Sequence, residues 1–216
     1  MSRQVTIALP KGRLQDAALA VFARAGVTVS PEELDSRRLW VDDTSGRFRF
    51  VLVKPSDVPT YVEYGTADVG VCGGDVLAES GADVHAPVDL RVGRCRLVLA
   101  GRQGEGARLD ARATARVATK YPRVATRWFH ARGVPVEVVY LSGSVELAPV
   151  LGLADHIVDV VETGRTLVDN GLEVLETLER CSARLVVNRA AWQLEGPALR
   201  ALVEALRLAR PEEVVA

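Results

Sequence analysis

The 216-residue sequence predicts an α/β protein of two lobes. Three observations carry that prediction. Short β-branched runs alternate with amphipathic stretches, the pattern of strands laid between helices in layered sheets, expected to be mostly parallel. Two such alternating sets occur, on either side of a polar, glycine-rich stretch from Gly101 to Arg112 that reads as an exposed loop. Hydrophobic residues make up 48% and charged residues 25%, enough apolar side chains for a packed core and too few charges for a disordered chain.

The elements follow in order. Gln4 to Leu9, rich in Val, Thr and Ile, reads as a strand. Leu14, Ala17, Ala18, Val21, Phe22 and Ala25 recur at helical spacing over Lys11 to Ala25, and Gly26 ends that helix. Leu39 to Val41 and Phe48 to Val53 flank the turn Thr44-Ser45-Gly46 as a hairpin. Ser56 reads as the cap of a helix with Pro59 in its first turn, and Gly65 stops it. Asp68 to Cys72 is a buried strand, and Gly73-Gly74-Asp75 opens a short helix. Strands are expected at Val84 to Leu90, Arg94 to Ala100, Arg116 to Thr119, Val134 to Leu141, Ile157 to Val161, Leu172 to Leu178 and Arg184 to Val187. Helices are expected from Pro122 to about Arg132, from Ser144 (as cap) toward Leu151, and from Leu194 to Leu208, the last interrupted or entered at Gly196-Pro197.

Charge and composition exclude several functions. Lys and Arg total 27 against 28 Asp and Glu, so nothing draws the whole chain to nucleic acid or to an anionic membrane. No apolar stretch is long enough to span a bilayer, and the amino terminus runs straight into a strand without a secretory signal. Cys72, Cys95 and Cys181 show no pairing pattern, and His85, His130 and His156 lack zinc-ligand spacing, so neither a disulfide framework nor a structural metal is expected. A cytoplasmic protein is the expectation.

Anionic ligands must then be caught locally, and two segments offer that. In Leu9-Pro10-Lys11-Gly12-Arg13-Leu14 a strand gives way to a helix through a glycine, with two cations at the end where free N–H groups gather. Cations there oppose the helix dipole, a cost that a bound phosphate explains; a solvated basic turn is the other reading. In Asp159-Val160-Val161-Glu162-Thr163-Gly164-Arg165-Thr166 a buried strand delivers acidic side chains and then a Thr-Gly-x-Thr turn. Hydroxyls and successive N–H groups around Gly164 suit a phosphate, and the carboxylates suit sugar hydroxyls, which together describe a ribose 5-phosphate. A strand-turn-helix with Thr as a cap is the alternative. Arg37 and Arg38 point to opposite faces ahead of a strand, and Lys54 ends a buried one, where ligand clefts of α/β sheets lie; surface charge is the competing reading for each. Gly70, Gly73 and Gly74 let a ligand ring approach the backbone. Cys72 has no cation or His near it in sequence and reads as a buried inert thiol, and Gly143-Ser144-Val145-Glu146 is not a hydrolase elbow.

Four blocks resemble one family over essentially the whole chain: Ala8 to Arg13, Ser56-Asp57-Val58-Pro59-Thr60-Tyr61-Val62-Glu63, Ala118-Thr119-Lys120-Tyr121-Pro122, and the run from Gly143 to Glu173 with its Asp159-Val-Val-Glu-Thr-Gly-Arg-Thr-Leu167. The chain is similar to the ATP phosphoribosyltransferases, enzymes of pentosyl transfer. The resemblance implies a fold like the type II periplasmic binding proteins, with the active site in the cleft between lobe I (1–91 and 179–216) and lobe II (92–178). It implies transfer of the phosphoribosyl group of phosphoribosyl pyrophosphate (PRPP) to N1 of ATP with Mg2+, giving N1-(5-phosphoribosyl)-ATP and pyrophosphate, the first step of histidine biosynthesis. The chain stops soon after its last helix, which resembles the short form, a catalytic subunit expected as a homodimer. That form assembles with a regulatory subunit related to histidyl-tRNA synthetase, in a hetero-octamer.

Carried to matching positions, the resemblance makes Arg13 and Arg37 the active-site arginines that engage pyrophosphate or ATP phosphates, with Lys11 and Lys54 beside them and Gly73 close to bound nucleotide. Thr163, Gly164, Arg165 and Thr166 hold the ribose 5-phosphate, and Asp159 and Glu162 face the ribose hydroxyls or Mg2+-bound waters. Two positions depart from the pattern: relatives commonly carry Lys at Gly74, and some carry Arg at Lys54, whose ammonium lacks the bidentate fork. A two-lobed binding module without chemistry, and a PRPP transferase with another acceptor base, are the competing expectations.

Overall fold

The structure, a computed structural model, describes residues 3–34, 38–106, 109, 112–194 and 196–212. The chain divides into two compact units, Met1–Arg94 with Ser182–Ala216, and Cys95–Cys181. In chain order, the first unit holds β1 (Val5–Pro10), α1 (Arg13–Arg24), α2 (Pro31–Leu34), β2 (Trp40–Asp42), β3 (Phe48–Val53), a 3-10 turn (Pro55–Asp57), α3 (Val58–Glu63), β4 (Val69–Gly73), α4 (Gly74–Ser80) and β5 (His85–Asp89). The second unit holds β6 (Cys95–Arg102), β7 (Ala115–Thr119), α5 (Pro122–His130), β8 (Val136–Tyr140), α6 (Leu147–Val150), β9 (His156–Val161), α7 (Arg165–Asp169) and β10 (Leu172–Cys181). The chain then returns to the first unit with β11 (Ala183–Val187), α8 (Arg189–Leu194) and α9 (Gly196–Ala209).

The first sheet has the order β2-β3-β1-β4-β11-β5 and the second β10-β6-β9-β7-β8. Both are mixed, a correction to the expected parallel character. Among the described residues four strand pairings are parallel, β1 with β3 and β4, and β7 with β8 and β9. Five are antiparallel. Alternation of strands and helices reports local state and not direction. The returning β11 inserts antiparallel between β4 and β5, and β10 folds back along β6, and neither event leaves a local signal.

The central strands β1 and β4 are apolar on both faces because helices cover both. One face packs against α1 and α9, with Phe22, Phe50, Leu199, Leu202 and Leu206 fully or almost fully buried. Phe22 meets Phe50 edge to face at 5.3 Å. The other face takes Val58 and Val62 of α3. The second unit packs Val98, Ala118, Ile157, Leu167 and Leu172 around its own sheet.

Local signals mostly set the element ends. After α1, Gly26 has φ 80°, its N–H donates to the Ala23 carbonyl and the Val27 N–H to the Phe22 carbonyl, a left-handed helix stop. The β2–β3 turn is organised by buried Asp43, whose Oδ1 accepts the Phe48 N–H at 2.8 Å and whose Oδ2 accepts the Ser45 hydroxyl at 2.6 Å. Ser56 is not a cap: its hydroxyl donates to Asp57 at 2.9 Å inside the 3-10 turn, and α3 starts two residues later. The last helical stretch is two helices, α8 and α9.

Candidate active site

The strand register of the first unit gathers its predicted ligand residues. Pro10 pairs with Val53 and Ala8 with Gly70, so β3, β1 and β4 end side by side at one carboxyl edge. Lys11 follows β1, and its N–H donates to the Val53 carbonyl at 2.9 Å. Lys54 follows β3 and Gly73 closes β4. This edge is where open α/β sheets bind ligands. Gly12 reaches α1 at φ 89°, a conformation that favours glycine, and no side chain caps the helix. Arg13 is its first residue; Lys11, Arg13 and Lys54 are all exposed. Arg37 lies outside the described residues.

Two glycines of the next strand have internal reasons. A Cβ at Gly70 would stand 2.7 Å from Val58 Cγ1 and 2.8 Å from Val62 Cγ2, so α3 occupies the space assigned above to a ligand ring. A Cβ at Gly73 would collide with the Asp75 carboxylate, which folds back over it. Burial, with Asp75 nearby, pushes the Cys72 thiol up to about 12, in keeping with an inert sulfur.

The second unit brings an acidic side chain and a glycine turn to one edge. β9, β7 and β8 run parallel and end together, Thr119 lying opposite both Val158 and Tyr140. Asp159 lies late in β9 with its side chain 15% exposed, and Lys120, the residue after β7, brings Nζ to 3.3 Å from Oδ1. The Val160 N–H donates to the same oxygen at 2.8 Å. Burial pushes the Asp159 carboxyl above its ordinary range, Lys120 pulls against that, and Glu146 adds to the rise. Beyond β9, Gly164 turns at φ 81° into α7. Its Cβ would meet only Val161 Cγ1 at 3.7 Å, so backbone conformation and not space requires glycine there. The turn leads directly into the amino-terminal end of α7. Thr163 Oγ1 accepts the Arg165 N–H at 3.4 Å, so this hydroxyl also serves the turn. Glu162, Arg165 and Thr166 are exposed around it.

Sequence reasoning missed Lys120, Glu146 and the shape of the turn before α6. Lys120 stood inside a block of the resemblance, following a strand as Lys11 does, without a role. Ser144 does not cap a helix: it adopts φ 49°, left-handed for a non-glycine residue, and α6 begins only at Leu147. Among the described residues no three His, Cys, Asp or Glu side chains converge to hold a metal. No helix among the described residues is long and apolar enough to cross a membrane.

Two α/β units with polar edges at strand carboxyl ends define the periplasmic-binding-protein type of fold. The same fold appears in the Bordetella pertussis BvgS VFT2 domain, at TM-score 0.54 and 18% identity over 94% of this chain and 86% of that one. The match to a family model described as ATP phosphoribosyltransferase spans residues 54–208. Curated relatives of that description include one from Sorangium cellulosum, 49% identical over 97% of both chains. Another, from Geobacillus kaustophilus, is 46% identical over 96% of this chain and 99% of the relative. A chain of the ATP phosphoribosyl transferase (HisG:HisZ) complex from Thermotoga maritima superposes with TM-score 0.82 at 34% identity, covering 95% of this chain and 98% of that one. The chain belongs to the ATP phosphoribosyltransferase family, enzymes of the first step of histidine biosynthesis. A divalent metal requirement is in keeping with that family.

Proposed function

We propose that the chain transfers the phosphoribosyl group of PRPP to N1 of ATP, with the ribose 5-phosphate held at the Thr163-Gly164-Arg165-Thr166 turn. The observation that carries this reading is the pairing, on one edge, of a half-buried carboxylate at Asp159 with the left-handed turn at Gly164. A sugar phosphate asks for both. Asp159 accepts the ribose hydroxyls. Glu162, exposed at the start of the turn, meets ribose or metal-bound water.

Adenine N1 is neutral and already nucleophilic, so the attack on C1 of the ribose needs no strong base. The C1–O bond to pyrophosphate breaks as the N1–C1 bond forms, and charge is the difficulty: the sugar becomes cationic while pyrophosphate gains negative charge. Arg13 and Arg37, with Lys11 and Lys54, supply positive charge for the phosphates. The donor chemistry suits Mg2+, a hard cation that keeps its waters and binds mainly substrate phosphates with at most one or two carboxylates, so no all-protein cage is needed. With Asp159 and Glu162 facing its waters, such an ion would offset the charge of the leaving pyrophosphate. The chain works in the cytoplasm, as a homodimer joined by a HisZ-type regulatory subunit related to histidyl-tRNA synthetase in a hetero-octamer. The Thermotoga maritima neighbour is a chain of an ATP phosphoribosyl transferase (HisG:HisZ) complex.

The test incubates the chain with ATP, PRPP, Mg2+ and inorganic pyrophosphatase, and mass spectrometry seeks phosphoribosyl-ATP. A PRPP-dependent product is expected. Absence of product both alone and with a HisZ-type subunit, together with no PRPP binding, would instead support a binding module without chemistry.

A further inference from the structure

We infer that Lys120 is a positioning residue for the sugar of the pentosyl donor: it holds the Asp159 carboxylate so that one oxygen faces the ribose hydroxyls. This rests on the reading of Asp159 as the ribose contact.

The geometry begins with Thr119, which is fully buried. Its hydroxyl donates to the Val158 carbonyl at 2.5 Å and accepts the Tyr121 N–H at 2.8 Å. One hydroxyl thus fixes the backbone on both sides of Lys120 and ties it to the strand residue next to Asp159. The parallel register, Thr119 opposite Val158, sets Lys120 beside Asp159. The Lys120 ammonium also lies 5.2 Å from the Tyr121 ring centroid, on the face of a side chain that is itself buried.

Among the described residues, the hydrogen-bonding and ion-pair contacts of Asp159 fall on one oxygen. Both Lys120 Nζ, at 3.3 Å, and the Val160 N–H, at 2.8 Å, reach Oδ1. That leaves Oδ2 for a donor from outside the chain, and a carboxylate oxygen has room for two such donors. A vicinal diol supplies two. Stability is a poor explanation for the pair. Thr119 with the ladder already joins β7 to β9, so the pair is not needed to hold the two strands together. A half-buried carboxylate with Glu146 nearby is costly to keep charged, and Lys120 is the cation that offsets it.

The experiment is calorimetric titration of the full chain with PRPP and Mg2+, and separately with ATP, for the wild type, Lys120→Met, Lys120→Arg, Asp159→Asn and the Lys120→Met/Asp159→Asn double variant. Lys120→Met is expected to weaken PRPP binding about tenfold, the size of one charge-assisted hydrogen bond. ATP affinity stays at the wild-type value and Lys120→Arg restores most of the PRPP affinity. In turnover assays KM for PRPP rises more than kcat falls. The double variant binds PRPP as Asp159→Asn does, because Lys120 acts only through that carboxylate. Additive losses in the double variant, or unchanged PRPP affinity in Lys120→Met while Asp159→Asn weakens it, would overturn the role of Lys120 and leave the ribose site standing. Unchanged PRPP affinity in Asp159→Asn would remove the ribose reading and the positioning role with it.

Discussion

Arg13 occupies the first position of α1, where a cation works against the helix dipole. An anionic ligand reverses the sign of that argument, since the cation and the helix N–H groups then act on the same charge. Arg13→Ala is expected to lower kcat by about one to three orders of magnitude, the range for loss of one charge contact to a transition state. Near-normal turnover in steady-state assays with the regulatory subunit present would remove Arg13 from the mechanism. Thr166→Val should act differently, raising the PRPP Kd while leaving ATP binding alone. Cys72 supplies a negative control. Its thiol is pushed up to about 12 by burial and by Asp75, so at pH 8 it carries almost no thiolate. Mass spectrometry after iodoacetamide treatment of the folded chain should find Cys72 unmodified, and rapid alkylation there would show that the sulfur is reachable and activated.

Elements explain why glycines that look alike in the sequence do different jobs. Gly164 is needed for its φ of 81°, with open room around it. Gly164→Ala therefore bends the turn out of shape, and about 1 kcal/mol of strain is expected with a clear loss of PRPP affinity. Gly70 has ordinary backbone geometry, and its substitution fails on space, because Val58 and Val62 of α3 sit on β4. Gly70→Ala should lower stability by about 1–3 kcal/mol through overpacking, read as a lower midpoint in urea. A variant with a wild-type midpoint would mean that α3 can move aside at no cost. Gly73 carries the Asp75 carboxylate over its Cα, a reason for glycine that holds before any nucleotide binds.

Across the whole molecule, acid stability depends on carboxylates placed to hold loops. Burial raises the Asp43 carboxyl, but hydrogen bonds from Ser45 and from the Phe48 and Arg47 N–H groups outweigh it and leave the group below its ordinary value. Asp89 follows the same course, lowered against burial by the Ser182 hydroxyl, the Arg91 N–H and the charges of Arg184 and Arg210. A depressed carboxyl stabilises the fold above its unfolded pKa and loses that contribution as pH falls through the folded value. Their share of the urea midpoint should hold steady down to about pH 4, near the ordinary value of 3.8, and then fall. In Asp43→Asn and Asp89→Asn the acid-dependent part of that fall should shrink; an unchanged pH profile in both would assign it to other groups.

Most of the elements, the α/β class, the family and the strand ends proposed to carry ligand residues were readable from residue order alone, because hydrophobic period, turn residues and short motifs are local. Lys11 was legible at the start of a helix entered from a strand, Lys54 as the end of a buried strand, Gly73 as the opening of a short helix, and Asp159 to Thr166 as an acidic strand running into a glycine turn. Neighbours from distant parts of the chain became visible only in the folded molecule. Lys120 is 39 residues from Asp159 along the numbering, and their approach to 3.3 Å follows from a parallel register that no local pattern records. The antiparallel entry of β11 between β4 and β5 is of the same kind. Strand direction, register and the packing that fills the space over Gly70 are set by contacts between segments far apart in the chain, and those contacts exist only once the chain has folded.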